Sequence, residues 1–266
     1  MQIQLSPNIS EAERQFVRQL PTLFDADGEM LYQGRNTVKR FVIEGKPLIA
    51  KRFKKMDLLK KIELMLGGCK AKRAFTNAER LLSLGFQTPK PLGYLIDDSG
   101  YSYLVTQEDK GIPLLDGMNE VVVSADARAN QKALGNEHTS LAEAFADYAL
   151  SLHLAGIVHK DFNNTNIRFT RDESDGNYRF SLIDINRMKF HDSRPTLRVC
   201  LDNLHLFSEC TDFYRAVLSR YLHQSNVFTQ QLFESELKKK QQHDKRYAQK
   251  KAFTRKLKNL KSLNNQ

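Results

Sequence analysis

At 266 residues, with 41% hydrophobic content, the chain is long enough for one large domain or two small lobes around a real core. No apolar run approaches the ~18 to 20 residues of a membrane-crossing helix, and the opening MQIQLSPNISEAERQF has no basic-then-apolar secretory pattern. Cys69, Cys200 and Cys210 show neither metal-ligand spacing nor even pairing, and read as reduced thiols of a cytosolic protein. The net charge of +10 is uneven: residues 39–73 carry 12 Lys/Arg against 3 Asp/Glu, and residues 225–266 carry 11 against 3. Such segments are either solvated helix faces or contacts for a phosphate-rich partner, meaning nucleotide, anionic lipid or nucleic acid.

Residues 1–29 read as a loosely attached polar lead-in, with one short helical pattern (Ile9, Phe16, Val17, Leu20) that Pro21 ends. From Met30 the period becomes that of strands, and residues 30–108 read as a sheet-rich first lobe. LYQGRNTVKRFVIEG gives two strands around Gly34, with a hairpin turn at Glu44-Gly45-Lys46-Pro47. Gly34 is the single glycine of QGRNTV, where a phosphate-covering loop usually has three, so Arg35 or the amides near Asn36 would have to substitute. Leu48, Ile49 and Ala50 lead into Lys51. A lysine there either snorkels from a packed stem or grips nucleotide phosphates.

Residues 57–66 form a basic amphipathic helix, with Leu58, Leu59, Ile62, Met65 and Leu66 on one face, suited to a membrane interface or to packing on its own domain. Residues 70–84 read as a longer helix capped by Gly85. Glu79 is its only acid, a candidate partner for Lys51 or else a surface glutamate. Strands over Leu92–Ile96 and Tyr101–Thr106 follow the rigid Thr88-Pro89-Lys90-Pro91. Gln107, Glu108 and Asp109 then mark a hinge whose backbone could meet an adenine edge.

The second lobe, residues 109–226, reads as mostly helical. Residues 111–139 are irregular apart from Val121–Val123. Ser140 and Glu143 suggest a capping box, opening a helix of about 15 residues along Leu141, Phe145, Tyr148, Ala149 and Leu152. His153 on it reads as a packing or surface residue. Gly156 ends that helix, and Ile157, Val158, His159, Lys160 and Asp161 follow. Asn166 comes five residues past Asp161, and a strand from Phe180 to Ile183 delivers Asp184. Two carboxylates and an amide at strand edges suit metal-assisted phosphoryl transfer, one acid orienting the attacking hydroxyl while the others hold a metal on the phosphates. Leu201 to Tyr221 is again helical. Residues 227–266 read as a basic, mobile helical tail with few apolar anchors.

In order, LYQGRNTVKRF, IAKRFKK, KAKRAFTNAERLLSLGFQTPKPLGY, HKDFNNTNI and LIDINRM make residues 30–190 resemble the protein-kinase-like superfamily, and more closely the lipopolysaccharide core kinases of the Kdo/WaaP family. The resemblance implies an α+β, two-lobed protein-kinase-like fold with a small antiparallel-sheet lobe and a mostly helical lobe. It implies ATP, with Mg2+ or Mn2+, and transfer of the terminal phosphate to a hydroxyl of an inner-core sugar (Kdo or heptose) at the cytoplasmic face of the inner membrane. Carried over by position, Lys51 is the phosphate-gripping lysine, Asp161 the catalytic aspartate, and Asn166 and Asp184 the metal ligands. Glu79 is the helix acid. Gly34, Gln107, Glu108 and Asp109 border the nucleotide.

Ile185-Asn186 stands where regulated protein kinases have Phe-Gly, Asn163 replaces their lysine and Lys160 their arginine, which points to a sugar or small-molecule acceptor. A protein Ser/Thr/Tyr kinase and a pseudokinase scaffold are the competing readings. Nucleic acid is not expected as a partner, because no interleaved aromatic stacking motif accompanies the basic segments. Segments 39–73 and 225–266 would instead meet an anionic membrane surface.

Overall fold

Six antiparallel strands in the order β1-β5-β6-β4-β3-β2 form the first lobe: β1 (Gln2–Leu5), β2 (Glu29–Gln33), β3 (Thr37–Ile43), β4 (Lys46–Phe53), β5 (Pro91–Ile96) and β6 (Ser102–Gln107). The computed structural model describes residues 1–55, 68–118, 133–207 and 211–263. The amphipathic helix expected at 57–66 and the apolar Val121–Val123 therefore lie outside the described residues.

Alternation along β4 decides which layer each side chain joins. Leu48 and Ala50 are buried against helix α1 (Glu11–Ala26), together with Phe16, Val17, Leu20 and Phe24. Phe53 packs with Phe75 and Tyr94 in a second cluster formed with helix α2 (Lys70–Ser83). Lys51 is cross-strand partner to Val38 and Leu104, and Leu104 borders that second cluster. The two-residue turn Glu44-Gly45, with φ of 50° and 75°, sets the β3–β4 register at the predicted hairpin.

The first 29 residues are thus not a loose lead-in. β1 pairs with β5 along Gln2–Leu5, and α1 supplies much of one hydrophobic cluster. Ser10 and Glu13 close a capping box at the start of α1, and the helix continues past Pro21 to Ala26. Proline forgoes one ladder bond there, which burial of Leu20 and Phe24 on either side of it offsets.

The second lobe begins with β7 (Ile112–Pro113). Helix α3 (Ala133–Leu154) starts before Ser140, which therefore lies inside the helix and is not its cap. Next come β8 (Ile157–His159), β9 (Ile167–Arg171), β10 (Tyr178–Leu182), a 3-10 turn (Ile185–Arg187) and β11 (Met188–Phe190). Helices α4 (Leu197–Leu204), α5 (Thr211–Gln224) and α6 (Gln230–Leu263) complete the lobe, so the single helical run expected over 201–221 is two helices. Phe145 of α3 is the hub of this core, stacking on Phe162 at 5.7 Å and on Phe207 at 5.1 Å. The tail also departs from expectation. Phe233, Glu236, Leu237 and Lys240 are buried, so the first part of α6 is anchored.

Beyond the chain crossing at Glu108–Asp109, the lobes are fastened through the segment after α2. Leu182 N–H donates to Gln87 C=O (3.1 Å), and Thr88 Oγ1 donates to Leu182 C=O (2.7 Å).

Candidate active site

The loop His159–Asn166 is positioned from beneath. Phe162 is buried on Phe145, while Asn163 Oδ1 accepts from Thr165 N–H and Asn166 N–H, at 3.1 and 3.2 Å, closing a tight Asx turn. Asn166 Nδ2 donates to the carbonyl of Asp161 at 2.9 Å, so its Oδ1 is the group left to face a ligand. The backbone then ties this loop to the next, as Ile183 N–H donates to Asn166 C=O at 2.9 Å.

His159 joins the same two loops through its ring. Nδ1 accepts from Asp161 N–H (3.0 Å), which leaves Nε2–H to donate to Ile183 C=O (3.0 Å). Burial pushes its pKa down, in keeping with this neutral tautomer. Behind it, Asn203 Nδ2 donates to His159 C=O (2.8 Å) and Asn203 Oδ1 accepts from His153 Nε2 (3.1 Å). His153 Nδ1 in turn accepts from Tyr221 Oη at 2.8 Å. Burial drives the His153 pKa down to about 4. His153 is therefore a packing residue, as expected, and part of a buried polar chain that backs the loop.

Asp184 adopts a left-handed backbone (φ 54°, ψ 42°), an uncommon conformation for a residue with a Cβ. It is held from both lobes. Lys51 Nζ, 133 residues away, donates to Asp184 Oδ1 at 2.7 Å, as does Asn186 Nδ2 at 2.7 Å. The side chains of Lys51 and Asp184 are 20% and 36% exposed, so both remain open to a ligand. Asn77 of α2 donates to Ile185 C=O at 2.7 Å, fixing the turn from above.

Asp161, Asn166 and Asp184 are thus brought together with Lys51. Glu79 is not. It is exposed on α2, its pKa is raised by desolvation, and among the described residues it forms no ion pair with Lys51, whose carboxylate partner is Asp184. Gly34 lies at the exposed tip of the β2–β3 hairpin, its N–H donating to Asn36 C=O. At the hinge, the Gln107 and Glu108 N–H groups already donate to Lys90 and Pro47 carbonyls. The side chains of Glu108 and Asp109 pair with Arg40 and Arg168 at 3.0 and 3.2 Å. These two acids brace the hinge.

Sequence reading missed Asn77, Asn203 and Arg187. Arg187 Nη1 donates to Asp161 Oδ1 and Oδ2 at 2.9 and 3.2 Å. Its one sequence signal is its place three residues past Asp184.

The donor set suits magnesium. One carboxylate and one amide oxygen are hard oxygen donors, and Mg2+ characteristically takes one or two such ligands and completes its shell with water and phosphate oxygens. Among the described residues there is no group of three or more His, Cys, Asp or Glu placed to hold a metal.

The profile of the "Lipopolysaccharide kinase (Kdo/WaaP) family" matches residues 37–208, a span that contains Lys51, Asp161, Asn166, Asp184 and Arg187. Among solved structures, "WaaP in complex with acyl carrier protein" matches with a TM-score of 0.59 at 17% identity, covering 91% of this chain and 99% of that one. At that identity the likeness establishes the shared two-lobed, protein-kinase-like fold. No curated protein matches.

Proposed function

From the premise that this chain belongs to the lipopolysaccharide kinase (Kdo/WaaP) family, and is a phosphotransferase acting on a hydroxyl group, we propose that it moves the terminal phosphate of ATP to a hydroxyl of an inner-core sugar. The observation that carries this reading is the 2.7 Å Lys51–Asp184 contact, which joins the first lobe's sheet to the loop beside Asp161.

In this reading Lys51 takes the nucleotide phosphates. Asn166 and Asp184 would hold a divalent ion, which when bound neutralises charge on the phosphates. Asp161 accepts a hydrogen bond from the acceptor hydroxyl and orients it in line. As the oxygen–phosphorus bond forms, the bond to the ADP oxygen breaks and the hydroxyl proton passes to Asp161. The transition state is loose, so Asp161 acts chiefly by positioning. Radiolabel transfer from ATP to purified core lipopolysaccharide tests this. Asp161→Asn should lose at least ~10²-fold in rate, on the order of 3 kcal/mol, while nucleotide binding persists. Full transfer by Asp161→Asn would overturn the reading, as would wild-type transfer to peptides but not to core sugar.

The site of action in this reading is the cytoplasmic face of the inner membrane, with segments 39–73 and 225–266 against anionic lipid. No described helix is long and apolar enough to cross a bilayer. Each surface lysine or arginine adds about 1 kcal/mol to such docking. Flotation with anionic but not with neutral vesicles is the expected result.

A further inference from the structure

We propose that Arg187 is the acceptor-recognition residue of this site, and that it selects an acceptor carrying an anionic group, a carboxylate or a phosphate, close to the hydroxyl that is phosphorylated. The inference rests on the kinase reading above and narrows its substrate class.

Arg187 closes the 3-10 turn that follows Asp184, yet its side chain serves the other loop, with Nη1 on both oxygens of Asp161. The guanidinium is 62% exposed and Asp161 is 33% exposed. An ion pair so open to water adds at most ~1 kcal/mol to stability, so holding the fold together does not account for its place on the reacting carboxylate. Among the described residues, Nε and Nη2 of Arg187 make no hydrogen bond, leaving the two-pronged edge that matches carboxylate or phosphate geometry.

The surroundings add positive charge. Met188 of β11 is paired with His159 of β8, which brings Arg187 and Lys160 together at the end of that two-stranded ribbon. Lys160 and Lys189 are both exposed. Asp161 thus meets its acceptor on a cationic rim.

This geometry treats two kinds of acceptor differently. A neutral sugar can bring its hydroxyl to a remaining carboxylate lone pair of Asp161, but it leaves the charged Nε/Nη2 edge of Arg187 without a counter-charge. An anionic sugar can place its charge on the free Nε/Nη2 edge, leave Nη1 in contact with Asp161, and bring its hydroxyl to the carboxylate. Arg187 then aligns acceptor and carboxylate by one rigid plane.

The test measures steady-state kinetics of wild type, Arg187→Gln and Arg187→Lys on three acceptors: intact core lipopolysaccharide precursor, the precursor with carboxyl groups reduced to alcohols, and the precursor stripped of phosphate. On the intact acceptor, Arg187→Gln should raise the acceptor KM at least tenfold with the KM for ATP within twofold, and Arg187→Lys should recover only part of the loss. Removing the recognised anion should bring wild type down to the level of Arg187→Gln while leaving that variant unaffected. Whichever modified acceptor does this identifies the anion as carboxylate or phosphate. A loss of kcat that is equal on all three acceptors, with unchanged acceptor KM, would overturn the inference and assign Arg187 to the transferring phosphoryl group. Unchanged kinetics would overturn it as well. Calorimetric binding of the intact precursor separates this inference from its premise. Equal binding by wild type and Arg187→Gln sinks the inference alone, whereas no binding or transfer by wild type removes the kinase reading and the inference with it.

Discussion

Asp184 and Asp161 sit on neighbouring loops but are held in opposite ways. Asp184 is fixed by both lobes, through Lys51 from β4, through Asn77 from α2 onto the next residue, Ile185, and through the His159 ring onto the preceding one, Ile183. Among the described residues Asp161 is fixed by the second lobe alone: its N–H goes to His159, its carbonyl accepts from Asn166, and its carboxylate meets only an exposed arginine from the same lobe. The loop proposed to meet phosphate is therefore sensitive to how the lobes sit on each other, whereas the loop proposed to meet the acceptor is not. Changes around Asp184 should disturb nucleotide binding and lobe closure together, and changes confined to the Asp161 carboxylate should leave nucleotide binding alone.

The largest test of that contrast is Asp184 itself. Asp184→Asn keeps a side chain that tolerates the left-handed backbone but removes the charge facing Lys51. It should lose at least ~10²-fold in rate and weaken magnesium-dependent ATP binding, measured by calorimetry. Asp184→Ala should lose as much activity and, in addition, be less stable than the Asn variant by about 1 kcal/mol in urea unfolding, because Ala has no local hydrogen bond to offset the strained φ. Retention of tight metal-dependent ATP binding by both variants would erase the contrast.

Asn77→Ala sharpens it with a smaller effect. The substitution removes a 2.7 Å hydrogen bond from α2 to Ile185 C=O without touching any proposed reacting group. About 1 kcal/mol, or roughly fivefold in kcat/KM for ATP, is the expected loss, with the acceptor KM unchanged. An equal rise in acceptor KM would show that the two loops move as one.

The buried chain behind Asp161 gives a pH test. The His153 pKa falls to about 4 on folding, so between pH 6.5 and 4 the unfolded chain binds the proton that the folded chain refuses. Stability from this source is complete above pH 6.5 and is lost as pH falls towards 4. His159 and His205 are also shifted down by burial and act in the same direction. His153→Gln should therefore show a shallower decline of unfolding temperature across that window than wild type. An identical pH slope would remove His153 from the account.

What could be read from the chain was what is local. The strand alternation around Lys51, the Glu44-Gly45 turn, and the Asp161 and Asn166 spacing each depend on a few adjacent residues, and their structure follows from them. Pro21 looks like a stop in the sequence, and the helix runs through it. The buried series Phe16, Val17, Leu20 and Phe24 runs past it, and packing on the sheet outweighs one missing bond. The hinge acids and Arg187 were illegible for a different reason. A charged side chain carries no periodic signal for its partner, and Arg168 and Asp161 are chosen by the tertiary fold alone.

Glu79 carries the smallest prediction and the most direct test of how the lysine is held. As the only acid between residues 70 and 84 it is the natural sequence choice to partner Lys51. Helical phase decides otherwise: Ala71, Ala74, Phe75, Ala78 and Leu81 take the buried face, and Glu79 is left towards solvent. Lys51 instead reaches across the cleft to Asp184, so the charge that orients it comes from the loop proposed to hold metal and not from α2. Glu79→Gln should accordingly change stability by no more than about 0.5 kcal/mol and kcat/KM for ATP by less than about twofold. A loss approaching that of Asp184→Asn would mean that α2 rotates to bring Glu79 onto Lys51 during turnover, and the two-lobed grip on Asp184 would then describe only one stage of the cycle.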